Sequence, residues 1–368
     1  MNSSGLSRPS WTPEIEAGVR AFRDAVKSSH RQIGAAASPT ERATLPRSEN
    51  IPDGVAVDGF VVVPHGVHFA GGDAIKTVQL PKSVVLPPQL HGPRIAPDAV
   101  PCFTYERKGR SGTKPEETNV IFFVHGGGNV AGHPADYGTP GPRWVPAISN
   151  LAKRFDGFVV APSYRLASVP ENTYPANLQD LWFAYQYLLN QGYQPKNIRL
   201  VGESAGGNSV LIITYLLHLY GQGLPHSIAA FGPAADHTYE LSDYAKAQAD
   251  VDILPIQGHM SASDQWLLEP GTFPDLPDRF IGAGARDRKS PLISAMHIPI
   301  KDIDDWPRTL IIAGNADQLI DPSRVMHHEA PGKVELRETE GGVHGFWQLP
   351  FYGQVKDKAW ADVLDFAR

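Results

Sequence analysis

From Asn119 onward, short apolar runs alternate with longer stretches in which apolar positions recur every three or four residues. The first pattern belongs to strands buried on both faces, the second to helices lying against them. Strands are predicted at 120–124, 157–162, 198–201, 227–232, 309–313 and 333–337. Helices are predicted at 144–155, 177–190, 205–217 and 322–329, with a last one from Val355. Such alternation predicts an α/β fold: a mostly parallel central sheet with helices on both faces. After residue 232 a long insertion interrupts the alternation. Ahead of it, residues 60–63, 76–80 and 102–107 read as further strands. Thr12 can cap a helix with Pro13 in its first turn, and Ile15, Val19, Phe22 and Val26 then form an apolar stripe. Residues 34–54 read as a linker and 86–101 as a Pro-rich surface loop.

Composition narrows the picture. The chain has 368 residues and 42% hydrophobic content, enough for one large domain with covering segments. A net charge of −6 gives no basic footprint, so nucleic acid is not an expected partner. No apolar run approaches a membrane span, and residues 1–10 do not read as a secretory signal. The single cysteine, Cys102, fits a reducing compartment, so a cytoplasmic location is expected. His65 and His68 have weak metal-like spacing without accompanying carboxylates or cysteines, and a loop is expected there. His327 and His328 are expected to face solvent. No metal and no organic cofactor is implied.

The chemistry centres on Gly202-Glu203-Ser204-Ala205-Gly206, between the 198–201 strand and the 205–217 helix. A G-x-S-x-G run in that place forces its serine into a strained turn that lifts the hydroxyl clear of the backbone. After the 120–124 strand comes His125-Gly126-Gly127-Gly128, whose glycines leave N–H groups free to point at a ligand oxygen. Charge developing on an attacked carbonyl oxygen needs such donors, and the N–H groups of Gly127, Gly128 and Ala205 are assigned to it. A serine hydroxyl needs a base, and the base an orienting carboxylate. The 309–313 strand runs into Gly314-Asn315-Ala316-Asp317, which puts Asp317 at a strand's carboxyl end. Asp321 is the rival, expected instead to cap the following helix. Of fourteen histidines, only His344 combines the right chain order with a glycine-framed loop after a strand. Ser204, Asp317 and His344 are therefore the candidate nucleophile, orienter and base.

This order resembles the hormone-sensitive-lipase-like branch of the α/β-hydrolases. Tyr164-Arg165-Leu166-Ala167 with Pro175-Ala176 and Asp180, Ser290-Pro291-Leu292-Ile293-Ser294, and Pro307-Arg308-Thr309-Leu310 are similar to that family as well. The resemblance runs from about 120 to 347. It implies an α/β-hydrolase fold with a helical cap, and a serine carboxylesterase acting on small-molecule esters of short to medium acyl chain through an acyl-enzyme. The alternatives are acyl transfer or lactone opening or closing on the same triad, and a non-catalytic receptor of this fold that keeps the serine but lacks the histidine. Ser163 stands where the family usually has Asp, and Asn129 where an aromatic is usual, which puts the shape of the acyl pocket in question. An uncovered site would leave the attacked carbonyl wet. Residues of about 12–45 and 238–286 are the spare segments and are assigned as cap elements. They cover a core of about 100–237 and 287–368 within a single domain. The apolar stripe of the first helix is expected to meet Trp266-Leu267-Leu268. The oligomeric state stays open, a homodimer included.

Overall fold

Nine runs pair into one sheet: β1 (Val55–Val63), β2 (Thr77–Gln79), β3 (Val100–Arg107), β4 (Val120–Val124), β5 (Phe158–Pro162), β6 (Ile198–Glu203), β7 (Ser227–Phe231), β8 (Arg308–Gly314) and β9 (Val334–Thr339). The computed structural model describes residues 10–29, 38–71, 75–92, 95–110, 112–137, 144–238, 276–282, 287–317 and 319–368. The strand order is β2-β1-β3-β5-β4-β6-β7-β8-β9. β3 runs antiparallel to β1 and β5, and every other pair is parallel. The central strands are buried on both faces, which is why they read as unbroken apolar runs rather than alternating ones.

The helices are α1 (Pro13–Ser29), α2 (Pro39–Arg42), α3 (Trp144–Arg154), α4 (Ala176–Asn190), α5 (Ala205–Leu219), α6 (Leu276–Ile281), α7 (Ile320–Glu329) and α8 (Gly353–Phe366). Alternate residues of each strand feed opposite faces. Phe122, Val124 and Val160 join α4, α5 and α7 in one apolar cluster. Ile121, Phe123 and Val159 join α3 and α8 in the other. β5 lies on one side of β4 and β6 on the other, so the crossovers through α3 and α4 travel in opposite directions and land on opposite faces. Sheets of this kind bind ligands beyond the strands' carboxyl ends at such a switch point.

Three expectations need correction. The 34–54 segment is more than a linker: α2 is capped by Ser38, and Arg42, 5% exposed, lies 3.7 Å from Asp180 and donates to the Ala99 and Ser163 carbonyls. Residues 86–101 ride on the surface only in part: Pro88, Gln89, His91, Ala96 and Pro97 are exposed, whereas Leu86 and Ile95 are buried. Leu90 and Ala99 are fully buried, and buried carbonyls of the segment are paired: Gln179 Nε2 donates to those of Leu90 and Ile95 at 2.8 and 3.1 Å. His327 is half-buried, its Nδ1 donating to the Val334 carbonyl at 2.7 Å, while His328 is exposed.

In α1, Val19 is buried, and Ile15 and Phe22 pack with it against the α3–α8 cluster, close to residues 350–352. Trp266, Leu267 and Leu268 lie outside the described residues, as does most of the 238–286 insertion. Of that insertion, α6 is described, and its Phe280 and Ile281 are buried in the α4–α5 cluster. Among the described residues, no helix is long and apolar enough to cross a membrane.

Candidate active site

The turn from β6 into α5 holds Ser204 at φ 52° and ψ −116°. A side-chain-bearing residue in such a conformation costs on the order of 1–3 kcal/mol. The surroundings enforce it. The Ser204 N–H donates to the Phe231 carbonyl at 2.8 Å, and the Ser204 carbonyl accepts from Asn208 and Ala234 at 3.1 and 3.0 Å. Close approach also demands Gly206, where a Cβ would run into the Val124 carbonyl. Ser204 itself stays partly exposed at the top of the sheet.

Asp317 leaves the end of β8 fully buried. Its Oδ1 accepts the Leu319 N–H at 2.8 Å, and its Oδ2 lies 2.8 Å from His344 Nδ1. His344 Nε2 lies 2.9 Å from Ser204 Oγ. An ionised carboxylate only accepts, so Nδ1 carries the proton and Nε2 is left to accept from the serine hydroxyl. The acid and histidine loops are joined along their backbones. Gly341 donates to Asn315 Oδ1 at 2.8 Å, and Ala316 to the Gly342 carbonyl at 3.0 Å. A Cβ on Gly314 would collide with that same Gly342 carbonyl, so the crossing needs glycine. The three residues singled out from sequence thus come together in one hydrogen-bonded row.

The glycine loop lies beside this row because β4 pairs with β6, Val124 opposite Gly202. Gly127 and Gly128 adopt φ 109° and 63°. The N–H groups of Val130 and Ala131 both turn back onto the Gly127 carbonyl, at 3.1 and 3.0 Å. Among the described residues, the Gly127 and Gly128 N–H groups meet no backbone acceptor. Ala205 opens α5, where an N–H has no partner within the helix. Among the described residues, none of the three N–H groups is thus committed to a backbone acceptor. The His125 ring is spent elsewhere: Nδ1 donates to the Gly126 carbonyl at 2.7 Å, and the ring stacks on Tyr164 at 4.3 Å. Burial pushes its pKa down to about 3. Asn129 sits at φ 60°, a conformation asparagine tolerates, and its Oδ1 accepts from Asn177 at 3.2 Å.

Asp321 does not cap its helix. The N-cap of α7 is Leu319, and Asp321 lies within the first turn, 2% exposed and 3.5 Å from Arg324. Burial raises its carboxyl to about 7. Sequence reasoning also passed over Glu203, buried beside the serine and bonded to Trp144, Trp347 and Gln348. Those partners lie 59, 144 and 145 residues away, a separation that no local pattern signals. Among the described residues, no group of three or more His, Cys, Asp or Glu is gathered as a metal site.

Residues 121–348 match a family model described as alpha/beta hydrolase fold. An esterase of Acinetobacter venetianus is 26% identical over 260 residues, 68% of this chain and 75% of its own. An acetyl-hydrolase of Streptomyces hygroscopicus is 26% identical over 58% of this chain and 62% of its own. An esterase from the bacterial hormone-sensitive lipase family superposes with a TM-score of 0.64 at 19% identity, covering 98% of both chains. At that identity the likeness is one of fold.

Proposed function

Because the chain belongs to the alpha/beta hydrolase fold family, we propose that it is a hormone-sensitive-lipase-like serine esterase that hydrolyses carboxylic esters through Ser204, His344 and Asp317. The observation that carries this reading is the unbroken row from Asp317 Oδ2 through His344 to Ser204 Oγ, with steps of 2.8 and 2.9 Å. As Ser204 Oγ attacks the ester carbonyl, His344 Nε2 takes its proton. Asp317 holds the imidazole in the tautomer that can do so and stabilises the imidazolium formed. The carbonyl oxygen becomes an oxyanion, held by the N–H groups of Gly127, Gly128 and Ala205. The tetrahedral intermediate collapses, and the alcohol leaves with the proton from His344. Water then attacks the acyl-enzyme, giving its proton to His344, and the acid leaves as Ser204 regains the proton.

Acyl groups of short to medium length fit this reading, in keeping with a relative named acetyl-hydrolase. The fate of the acyl-enzyme depends on which nucleophile reaches it, so acyl transfer and lactone chemistry share this machinery. A receptor of this fold would lack the histidine, whereas His344 lies within hydrogen-bonding reach of Ser204. A panel of p-nitrophenyl esters from acetyl to dodecanoyl, with and without added alcohols, tests the reading. Free acid as the main product, fastest for the shorter chains, supports it. Ester products that dominate once an alcohol is added would assign the protein to acyl transfer.

A further inference from the structure

Glu203 has no part in the steps above. Its side chain is 2% exposed. Oε2 accepts from Trp144 Nε1 and Trp347 Nε1, each at 3.2 Å, and from Gln348 Nε2. Among the described residues, Oε1 meets no donor. The donors belong to different working parts. Trp144 opens α3, the first helix after the glycine loop, and its ring lies 5.3 Å from His125, which begins that loop. Trp347 follows His344 and meets its ring edge-on at 5.4 Å. Trp347 also stacks on Phe231, whose carbonyl holds the Ser204 N–H. Gln348 donates its own N–H to the Gly345 carbonyl at 2.8 Å and so closes the histidine turn.

An apolar side chain of this size would fill the space without the penalty of burying a carboxylate. It could not hold two indole N–H groups and an amide at one point. We propose that Glu203 is a positioning residue whose single oxygen fixes the glycine loop and the histidine loop relative to each other and to Ser204. The inference rests on the esterase reading above. Among the described residues, the titratable groups nearby are His344 with its partner Asp317 on the side of Trp347, His125 and Asp136 beside Trp144, and Tyr164, whose hydroxyl feels the Glu203 charge. When ionised, Glu203 also favours the imidazolium that His344 becomes during turnover, because the two charges attract.

The test compares wild type with Glu203→Met, Glu203→Gln, Trp144→Phe and Trp347→Phe, using p-nitrophenyl acetate turnover and fluorophosphonate labelling of Ser204. Glu203→Met keeps the bulk and removes the acceptor. Its kcat is expected to fall about ten- to a hundredfold with KM within about twofold, since misplaced loops weaken the transition state more than the bound substrate. Glu203→Gln keeps an acceptor oxygen for the same donors and should recover most of that kcat. Each Trp→Phe variant removes one donor and keeps a ring, and each should lower kcat less than Glu203→Met does. If Glu203→Met fails to fold, the two Trp→Phe variants decide, and unchanged kcat in both overturns the inference. A folded Glu203→Met protein with wild-type kcat, or a Glu203→Gln protein as slow as Glu203→Met, overturns it while leaving the esterase reading intact. A wild-type protein that turns over no ester and takes no label overturns both.

Discussion

Ser204 holds its left-handed backbone because three hydrogen bonds tie it to β7, to the loop after it and to α5. Removing the hydroxyl leaves all three bonds in place. Ser204→Ala is therefore expected to keep the fold and lose nearly all turnover, as removal of a triad member costs several orders of magnitude. Ser204→Gly should also be inactive but more stable than Ser204→Ala by about 1 kcal/mol, since glycine adopts φ 52° freely. A urea titration of the two variants checks this. The two aspartates should separate clearly. Asp317→Asn removes the acceptor that fixes the His344 tautomer and should lower kcat by a factor of roughly a hundred to ten thousand. Asp321→Asn should stay near wild type in esterase assays, because Asp321 pairs with Arg324 and not with His344. Comparable losses in both variants would count against Asp317 as the orienter.

Among the elements, α1 acts on the site through the histidine loop. Trp11 Nε1, just ahead of the helix, donates to the Gly341 carbonyl at 2.7 Å, and Tyr352 Oη donates to the same oxygen at 2.8 Å. Removing residues before Gly34 uncovers the partners of Val19 and frees one side of that loop. Melting temperature and kcat are expected to fall together. A change confined to KM for bulky esters would instead make the segment a cover for the substrate. The strands and motif loops were legible in the sequence because they are local: buried parallel strands are unbroken apolar runs, and the turns need glycine where backbones touch. The serine, acid and histidine could be placed at strand ends for the same reason. What joins distant segments was not legible. Arg42 lies in a polar stretch that reads as a linker, yet its guanidinium reaches Asp180 and two carbonyls. Glu203 reads as a filler position in its motif, and its indole partners are chosen by the fold alone.

For the molecule as a whole, buried titratable groups set opposing trends with pH. Burial lowers His125 to about 3 and both His133 and His237 to about 4, so the stability carried by their neutral rings is present above about 6.5 and lost as pH falls through those values. Burial raises Glu203 to about 7 from 4.5, so between those values the folded state holds a proton that the unfolded state has released. Its contribution is greatest below about 4.5 and lost as pH rises through about 7. Glu203→Gln cannot titrate there, and its melting temperature relative to wild type should rise from pH 5 to pH 8. A difference that stays constant or falls over that range would mean Glu203 ionises near its ordinary value in the fold. The proposed reaction turns on Ser204 as the nucleophile, activated by His344. The most direct measurement is intact-mass and peptide mapping after brief fluorophosphonate treatment of the native full chain. One adduct per chain on Ser204, absent in Ser204→Ala and formed far more slowly in His344→Ala, is the expected result. An adduct on another residue, or ester turnover that survives in Ser204→Ala, would contradict it.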